Sequence, residues 1–444
     1  MTGQRDESAI EPIAIEAVRR HFDDTEAIEV RWRFDVHGGT FGELEAATFA
    51  AACAEAVATT TPLVTVVRTG GTRLQQGMRS LVGIPRAALA LADLAAAGLP
   101  HVSVAAHPTT GGVWVAIGSL ADVRAAVRGA TVGFSGPRVV EAMTGEPVPR
   151  GANTGESAAA AGLVDALLDA DGLDVWVGRV LRALRAGPLE PAPVGGVGCP
   201  RPPARHGWDQ VVHSRTAPRS DGADLANAML ADAVALRGGD DTVTASVGRL
   251  HDRPVVVAAV AARRAGRVSV AGYRLLTRAA RLADRLRLPL VTLVDSAGAD
   301  PLPASEDDGI AAAIGTALTA VIGCGSPTVA VVHGEGGSGG ALAAAVCDTV
   351  IVTTDGWFAA LAPEGAAAAL RTTPEDAAEI MRLAPAELLA DGFADEVVAG
   401  APAAVRDRVA AELARLSALA PEDRATRRHH RWRDPLPPAP DDSP

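Results

Sequence analysis

Residues 329–343 read VAVVHGEGGSGGALA, a β-branched run that passes through five glycines within seven residues into an alanine-rich segment. The pattern predicts a strand that turns through glycine into a helix. The first N–H groups of such a helix have no partner within it, and the helix dipole favours negative charge there. Such a terminus binds phosphate or the oxyanion of a reacting carbonyl, although a tight turn without chemistry is the alternative. No Lys-Ser/Thr pair follows the glycines, which disfavours a nucleotide phosphate loop.

A similar arrangement occurs in both halves of the chain. Gly70 and Gly111 each follow a short apolar run and are 41 positions apart, and Gly298 and Gly339 have the same separation. Each half then closes on a similar segment, AAGLVD at 160–165 and ADGFAD at 390–395. Strands alternate with helices in both halves. The order predicts two copies of one α/β fold, each with a mostly parallel sheet covered by helices.

Composition shifts along the chain predict its domain organisation. We expect an N-terminal extension at 1–30 with a helix at 13–22, a first domain at 31–187 and a second domain at 208–420. The first domain should open with a strand at 34–42 and a helix at 43–59. The second should contain a helix at 224–236 and paired strands at 243–250 and 254–261. The segment between them, 188–207, is rich in proline and glycine and is predicted to be a linker. The charged, proline-rich end at 421–444 is predicted to be disordered.

Charge and residue usage exclude several classes of function. The formal charge of −12 and the pI near 5.3 disfavour nucleic acid and anionic membranes as partners. No apolar run is long enough to span a membrane and the start is no signal peptide, so we expect a cytoplasmic protein. The four cysteines are far apart, which predicts buried thiols and no zinc or other metal site. All 41 basic residues are arginine, so no lysine is present to carry biotin or form a Schiff base.

Several motifs resemble the carboxyltransferase subunits of bacterial acetyl-CoA carboxylase. The second half resembles the α subunit in GYR at 272–274, DSAGA at 295–299, GEGGSGGAL at 334–342 and APEG at 362–365. The first half resembles the β subunit in GGTFG at 38–42, GGTRLQ at 70–75, PTTGGV at 108–113 and GFSGPRVVE at 133–141. The resemblance covers roughly residues 31–400, in the order β then α. It implies two tandem crotonase-like domains of the ββα-superhelix (ClpP-like) type.

The resemblance also implies which residues form the site. Crotonase-like domains hold an oxyanion with two peptide N–H groups on successive turns of the repeat. Those N–H groups must be free of acceptors within the chain. By analogy, one set of residues would face an acyl-CoA enolate, a second would face the ureido oxygen of carboxybiotin, and two arginines would pair with CoA phosphates. The sets are Gly70, Gly71, Gly111 and Gly112; Gly298, Gly336, Gly337, Gly339, Gly340 and Ala341; and Arg73 with Arg138.

The implied activity is carboxyl transfer from biotin to a small acyl thioester on CoA or an acyl carrier. Because the chain has no lysine, the biotin carboxyl carrier protein would be a separate chain, charged by a biotin carboxylase. The family forms its active site between unlike halves of two protomers, so a homodimer is expected. Carboxybiotin would release CO₂ and abstract the α-proton, so no side chain is required as the base. His107 and His333 are then structural, and Glu335 and Glu364 partner backbone N–H groups or arginine.

Three departures from the family pattern keep other functions open. The β subunit's four-cysteine zinc domain and the first part of its crotonase core have no counterpart in the sequence. Asp300 stands where the family has an aromatic residue. One alternative is therefore a biotin-independent decarboxylase of a malonyl thioester. The other is a degenerate, non-catalytic partner in a carboxylase complex.

Overall fold

The computed structural model describes residues 12–185, 204–261, 263–264 and 266–434. They fall into two compact units that divide between Leu181 and Arg182. The strands of the first part of the chain are β1 (Ile15–Phe22), β2 (Thr25–Trp32), β3 (Leu63–Thr69), β4 (His101–Thr110), β5 (Val123–Val127), β6 (Val132–Gly133) and β7 (Ala166–Leu168). Its helices are α1 (Glu43–Thr59), α2 (Met78–Ala96), α3 (Pro137–Thr144), α4 (Gly155–Ala160) and α5 (Leu173–Leu184).

The second unit is larger. Its strands are β8 (Ala231–Leu236), β9 (Val243–Leu250), β10 (Arg253–Val260), β11 (Gly266–Val268), β12 (Leu290–Ala299), β13 (Thr328–Gly337), β14 (Thr349–Thr353), β15 (Trp357–Ala359) and β16 (Glu396–Val398). Its helices are α6 (Gly207–Thr216), α7 (Gly222–Met229), α8 (Val270–Leu286), α9 (Pro303–Asp307), α10 (Ile310–Ile322), α11 (Ser338–Ala345), α12 (Pro363–Leu370), α13 (Pro374–Ile380), α14 (Pro385–Ala390), α15 (Pro402–Ser417) and α16 (Pro421–Arg433).

Each unit is built on one sheet. The first has the strand order β1-β2-β3-β4-β5-β7, with β6 paired to the end of β4. The second has the order β8-β9-β10-β12-β13-β14-β16, with β11 and β15 paired to the ends of β12 and β13. Apart from β1–β2 and the β8-β9-β10 meander, neighbouring strands are parallel. The predicted α/β class with mostly parallel, helix-covered sheets is confirmed.

Strand register shows that the two units repeat one design. Helices α1 and α8 begin at Glu43 and Val270, which are 227 positions apart. The pairing of Thr69 with Thr109 at the end of β3 and β4 recurs 227 positions later as Ser296 with Gly336. The repeat predicted from the glycines is therefore present, but its alignment was wrong by one position. Because pairing and backbone angles fix the match, Gly71 corresponds to Gly298 and Gly111 to Ser338.

The closing segments of the two halves also take the same position. The carboxylate of Asp165 accepts a hydrogen bond from the backbone N–H of Arg124 at the second residue of β5 (2.8 Å). Asp395 does the same for Val350 at the second residue of β14 (2.7 Å). Each carboxylate thus holds the start of one strand, and the sequence match between 160–165 and 390–395 reflects one structural role.

The N-terminal prediction was wrong in two respects. Residues 13–22 do not form a helix, because β1 pairs antiparallel with β2 from Ile15 to Phe22. Both strands belong to the sheet of the first unit, with Ala14 and Ile28 almost fully buried. The described part of 1–30 is therefore an edge of the domain rather than an extension. In the repeat, β1 and β2 take the places of β9 and β10.

Two internal predictions also differ from the structure. Residues 34–42 form a turn with a short 3-10 segment, His37–Gly39, rather than a strand. Gly38 and Gly39 have φ of +62° and +63°, a conformation that no strand contains. The helix predicted at 224–236 is divided, because α7 ends at Met229 and β8 follows. Helix α1, by contrast, has the predicted bounds.

The C-terminal segment is ordered through residue 434, contrary to the prediction for 421–444. Two buried arginines of helix α16 bind it to the rest of the second unit. Arg428 pairs with Asp348 (2.6 Å), and Arg424 donates to the carbonyl of Gly325 (2.6 Å). Charge and proline content suggested disorder, but these two arginine side chains have buried acceptors. Residues 435–444 lie outside the described residues, as do residues 186–203, which include Cys199 and most of the linker predicted at 188–207.

Two turns meet backbone to backbone at the ends of β3 and β4. Gly71 and Gly111 have φ of +110° and +75°, and a Cβ added to Gly111 would lie 2.9 Å from the Cα of Gly71. In the second unit a Cβ on Gly298 would lie 2.9 Å from the Oγ of Ser338. The close approach leaves no room for a side chain at Gly111 or Gly298.

We expect Gly111→Ala to destabilise the first unit more than Gly129→Ala. Gly129 has a similar φ of +72° and nothing within 4 Å of an added Cβ, so it isolates the backbone strain. That strain costs about 1–2 kcal/mol. The clash at Gly111 should add about 1–3 kcal/mol. Urea denaturation of the two variants measures the difference, and equal losses would contradict the close contact.

Candidate functional site

Most of the predicted N–H donors in the first unit are already occupied. The Gly70 N–H donates to the carbonyl of Gly38 (3.0 Å), and the Gly111 N–H donates to that of Phe134 (2.9 Å). The Gly71 N–H donates to the hydroxyl of Thr69 (2.9 Å). These three glycines therefore shape the turns, and their assignment as oxyanion donors was wrong.

Two other N–H groups remain beside the same contact. Gly112 follows the turn, and its N–H has no acceptor among the described residues. Phe41 and Thr72 form an isolated β-bridge through two hydrogen bonds. The N–H of Phe41 donates to the carbonyl of Gly71 (2.8 Å), and the N–H of Arg73 donates to the carbonyl of Phe41 (3.0 Å). The N–H of Thr72 lies between those bonds, so it points away from Phe41. Its nitrogen is 3.8 Å from the position of a Cβ on Gly111.

The second unit repeats this pattern of occupied and remaining donors. The N–H of Gly298 donates to the hydroxyl of Ser296 (3.0 Å), as Gly71 does to Thr69. The N–H of Gly340 donates to the hydroxyl of Ser338 (3.3 Å). Gly339, 227 positions after Gly112, is the second residue of α11, where an N–H has no partner within the helix.

Gly339 differs from its neighbours in the motif. Gly336 and Gly337 are buried in β13, and an added Cβ would lie 2.1 Å from the Phe358 ring and 2.8 Å from the carbonyl of Ala297. Both glycines are thus required by packing within the chain, rather than by a ligand. A Cβ on Gly339, in contrast, would meet nothing within 4 Å. Ala341, also predicted at this site, is fully buried within α11.

Buried ion pairs stabilise the glycine turn of the second unit. The Asp295 carboxylate is paired with Arg219 and accepts the backbone N–H of Glu335 (2.9 Å). The Glu335 carboxylate, itself buried, accepts from Nε of Arg215 (2.9 Å), which also binds Glu364 (2.5 Å). The hydrogen bond from Arg215 lowers the pKa of Glu364. The two glutamates are thus paired with arginine, as the sequence reasoning favoured, and neither is placed for proton transfer.

The two histidines beside the turns, His107 and His333, contact other parts of the chain. His107 accepts the N–H of Thr131 at Nδ1 (3.1 Å). His333 is buried on β13, its Nε2 has no partner among the described residues, and it packs against Gly222 at the start of α7. Burial lowers the pKa of His333 to about 4, with Asp295, Arg219 and Asp221 as the charged groups around it. The imidazole is therefore neutral at pH 7.

The two predicted CoA-binding arginines have different surroundings. Arg73 is buried, pairs with Glu45 (2.6 Å) and donates to the carbonyl of Thr40 (3.0 Å). It therefore holds α1 to the turn at 71–73 and is not available for a phosphate, which corrects its assignment. Arg138 lies exposed in the first turn of α3 and stays a prediction.

The geometry leaves one pair of N–H groups at each glycine turn. These are Thr72 with Gly112 and Ala299 with Gly339. In the second unit Asp300 donates to the carbonyl of Val268 (3.0 Å) beside the Val268–Ala299 pair, so the N–H of Ala299 points away from Val268 as that of Thr72 does from Phe41. Sequence reasoning missed Thr72 and Ala299, although each directly follows a predicted glycine. Two N–H groups converging at a strand-to-helix turn can stabilise a carbonyl oxygen that becomes negative. Within the described residues, no group of three or more His, Cys, Asp or Glu is placed to hold a metal, and no helix is long and apolar enough to cross a membrane.

Comparison with known proteins gives family matches for both units. Residues 28–181 match the family described as "Carboxyl transferase domain", and residues 205–434 match "Acetyl co-enzyme A carboxylase carboxyltransferase-like". The crystal structure of a transcarboxylase 12S, with hydrolysed methylmalonyl-coenzyme A bound, aligns over 90% of this chain and 81% of its own. The TM-score is 0.76 at 22% identity. The fold is therefore that of two tandem crotonase-like domains.

Sequence relatives identify the family. An acetyl-coenzyme A carboxylase carboxyl transferase subunits beta/alpha protein of Parafrankia sp. is 35% identical over 91% of this chain and 74% of its own length. A probable biotin-dependent acyl-coenzyme A carboxylase beta3 subunit of Mycobacterium tuberculosis is 34% identical, with 90% and 82% covered. The chain belongs to the acyl-coenzyme A carboxylase carboxyltransferase family.

The buried histidine gives a pH dependence that can be measured. Because its folded pKa is about 4 and the ordinary value is 6.5, the unfolded chain binds more protons between these pH values. His333 should therefore lower stability as pH falls from about 6.5 towards 4, by up to about 1.4 kcal/mol per pH unit. His333→Leu removes this contribution. Urea denaturation at pH 7, 6 and 5 should give a shallower slope for the variant, and parallel curves would contradict a buried neutral imidazole.

Proposed function

We propose that this protein is the carboxyltransferase component of a biotin-dependent acyl-CoA carboxylase. It would move a carboxyl group from carboxybiotin on a separate carrier protein to a small acyl thioester. The observation that carries the proposal is the pair of N–H groups left without internal acceptors at each glycine turn. Family membership sets the reaction class, and the two turns supply the two oxyanion sites that the reaction needs.

The first pair, Thr72 and Gly112, would hold the thioester oxygen as the enolate forms. The corresponding pair, Ala299 and Gly339, would hold the ureido oxygen of biotin. These donors are fixed by the Gly71–Gly111 contact and its counterpart, so they need no reorganisation when negative charge develops. Each N–H would be worth about 10²–10³ in rate.

The surroundings of the turns support a mechanism without a side-chain base. Glu335 and Glu364 are paired with Arg215, and His333 is buried and neutral. Carboxybiotin, which arrives as a substrate, supplies both the CO₂ and the group that takes the α-proton. The residues of this chain would orient the two substrates, stabilise the two oxygens and exclude water from the enolate.

The partners follow from the composition and the family. With no lysine among its 444 residues, this chain offers no side chain to which biotin could be attached. A biotin carboxyl carrier protein and a biotin carboxylase would therefore act with it. We propose a homodimer, as in the family pattern, and a cytoplasmic location. The exposed Arg138 is the remaining candidate for a CoA phosphate.

The structure gives little support to the decarboxylase alternative. Asp300, the acid that replaces an aromatic residue, accepts the hydroxyl of Ser305 (2.5 Å) and the N–H of Leu302 (3.3 Å). It thus shapes the loop before α9 rather than standing free as a catalytic acid. The strands β1 and β2 also supply core elements that the sequence suggested were missing.

One assay separates the three functions. The purified protein is incubated with malonyl-CoA, with and without free biotin, and both CO₂ release and carboxylated biotin are followed. We expect malonyl-CoA to be lost only when biotin is present. Loss without biotin would identify a decarboxylase instead. No reaction with malonyl or methylmalonyl thioesters would identify a non-catalytic partner.

The proposed donor at Gly112 can be removed selectively. Gly112 is the first helical residue before the π-helical segment Trp114–Gly118. Proline has no N–H and is tolerated in the first turn of a helix, whereas alanine keeps the N–H and adds a comparable Cβ. That Cβ would meet the Ile84 side chain at 2.9 Å in both variants, and proline in addition restricts the backbone of Gly111. We expect kcat of Gly112→Pro to be about 10²–10³ lower than that of Gly112→Ala. Thermal unfolding serves as the control for folding, and equal kcat values in two folded variants would exclude Gly112 as a donor.

A further inference from the structure

A second polar site lies far from the glycine turns within the second unit. A cavity of about 400 Å³ opens at the amino-terminal ends of β14 and β16, beside α15 and α16. The glycine turns lie at the opposite, carboxyl-terminal ends of β12 and β13. We call this space the C-terminal cavity. Five arginines line it: Arg408, Arg415, Arg424, Arg427 and Arg431.

The carboxylates of the C-terminal cavity are already neutralised. Four of them line it, and each forms an ion pair with an arginine of α15 or α16. The pairs are Asp348 with Arg428 (2.6 Å), Asp395 with Arg431 (2.5 Å), Glu412 with Arg415 (2.6 Å) and Glu396 with Arg408. The four lining carboxylates thus leave no ion-pair partner for the remaining two arginines, and Glu422 and Asp423 of α16 are exposed and do not line the cavity.

Those two arginines, Arg424 and Arg427, lie three residues apart on α16. Arg424 is 6% exposed, and within the described part of the chain its guanidinium donates only to backbone carbonyls, those of Leu416, Leu419 and Gly325. Its Nε has no acceptor among the described residues. Arg427 is exposed and forms no ion pair with a described residue. The cavity therefore carries a surplus of positive charge, part of it buried.

A buried guanidinium without a carboxylate partner is costly, because neutral carbonyls replace only part of its hydration. Burial accordingly lowers the pKa of Arg424. A bound anion would supply the missing charge. Guanidinium groups bind phosphate and carboxylate through two parallel N–H···O hydrogen bonds. Because this pairing needs two acceptor oxygens, an oxyanion fits the site better than a single-atom anion.

We propose that the C-terminal cavity binds a small multivalent oxyanion, one that carries phosphate or carboxylate groups, between Arg424 and Arg427. The ligand would tie α16 to the starts of β14 and β16. It is bound at the sheet edge away from the reaction, so it acts as an effector or a structural ligand rather than as a substrate.

Binding is tested with two probes, pyrophosphate and citrate, by isothermal titration calorimetry of the full chain at constant ionic strength. We expect saturable binding of at least one, and which one binds distinguishes a phosphate ligand from a carboxylate ligand. Arg427→Gln should weaken binding by at least about 10-fold, since charged hydrogen bonds are among the stronger ones. Because Arg427 is exposed, this variant should fold normally.

Arg433→Gln is the matched control, because it removes the same charge from the same helix at an exposed position that does not line the cavity. It should change affinity less than twofold. Absence of saturable binding by the unmodified protein, or equal weakening by both variants, would overturn the proposal. Hydrogen exchange gives a second readout, in which the bound probe should protect the amides of α16. Neither measurement uses catalytic activity, so failure here leaves the proposed function untouched.

Discussion

The close approach of two strand-end turns is the constraint on which the candidate site depends. In the first unit Gly71 and Gly111 touch through their backbones, and in the second unit Gly298 meets Ser338. In each case a hydroxyl two residues earlier, on Thr69 or Ser296, accepts the N–H of the glycine that follows. The turn is thus fixed by side chains of its own strand. Fixing it determines which N–H groups remain for a ligand.

Glycine serves two different purposes in these motifs. At Gly111, Gly336 and Gly337 the chain itself occupies the space where a side chain would be, so packing alone demands glycine. Gly339 has open space around it and an N–H that no helical partner can accept. A residue of the second kind is the better indicator of ligand contact. The sequence cannot separate the two kinds, because both are written as glycine.

The sequence was sufficient for the fold class and the repeat, and it predicted the glycine turns at which the candidate site lies. Helix α1 and the paired strands β9 and β10 were predicted because their apolar patterns are regular. The alignment of the two halves was not predicted correctly, since two glycine-rich turns still look alike after a shift of one residue. Helix α16 was missed because its buried arginines bind acceptors that are distant in sequence, such as Asp348 for Arg428. The same reason applies to Arg73, whose partner Glu45 is 28 residues away.

The charged and polar contacts around the glycine turn differ between the two copies of the repeat. Asp295 and Glu335 of the second unit correspond by register to Arg68 and Pro108 of the first. Arg68 donates to the carbonyl of His107 (2.7 Å), so a carbonyl contact and threonine hydroxyls stand where the second unit has Asp295 and Glu335. The buried ion pair of the first turn, Arg73 with Glu45, joins it to α1 instead. The second rests on buried ion pairs, which are costly to break because a lone buried charge remains. Matching backbone geometry over unlike charged surroundings suits the proposal of two sites for two different anions, and the charged partners, rather than the glycines, distinguish the halves chemically.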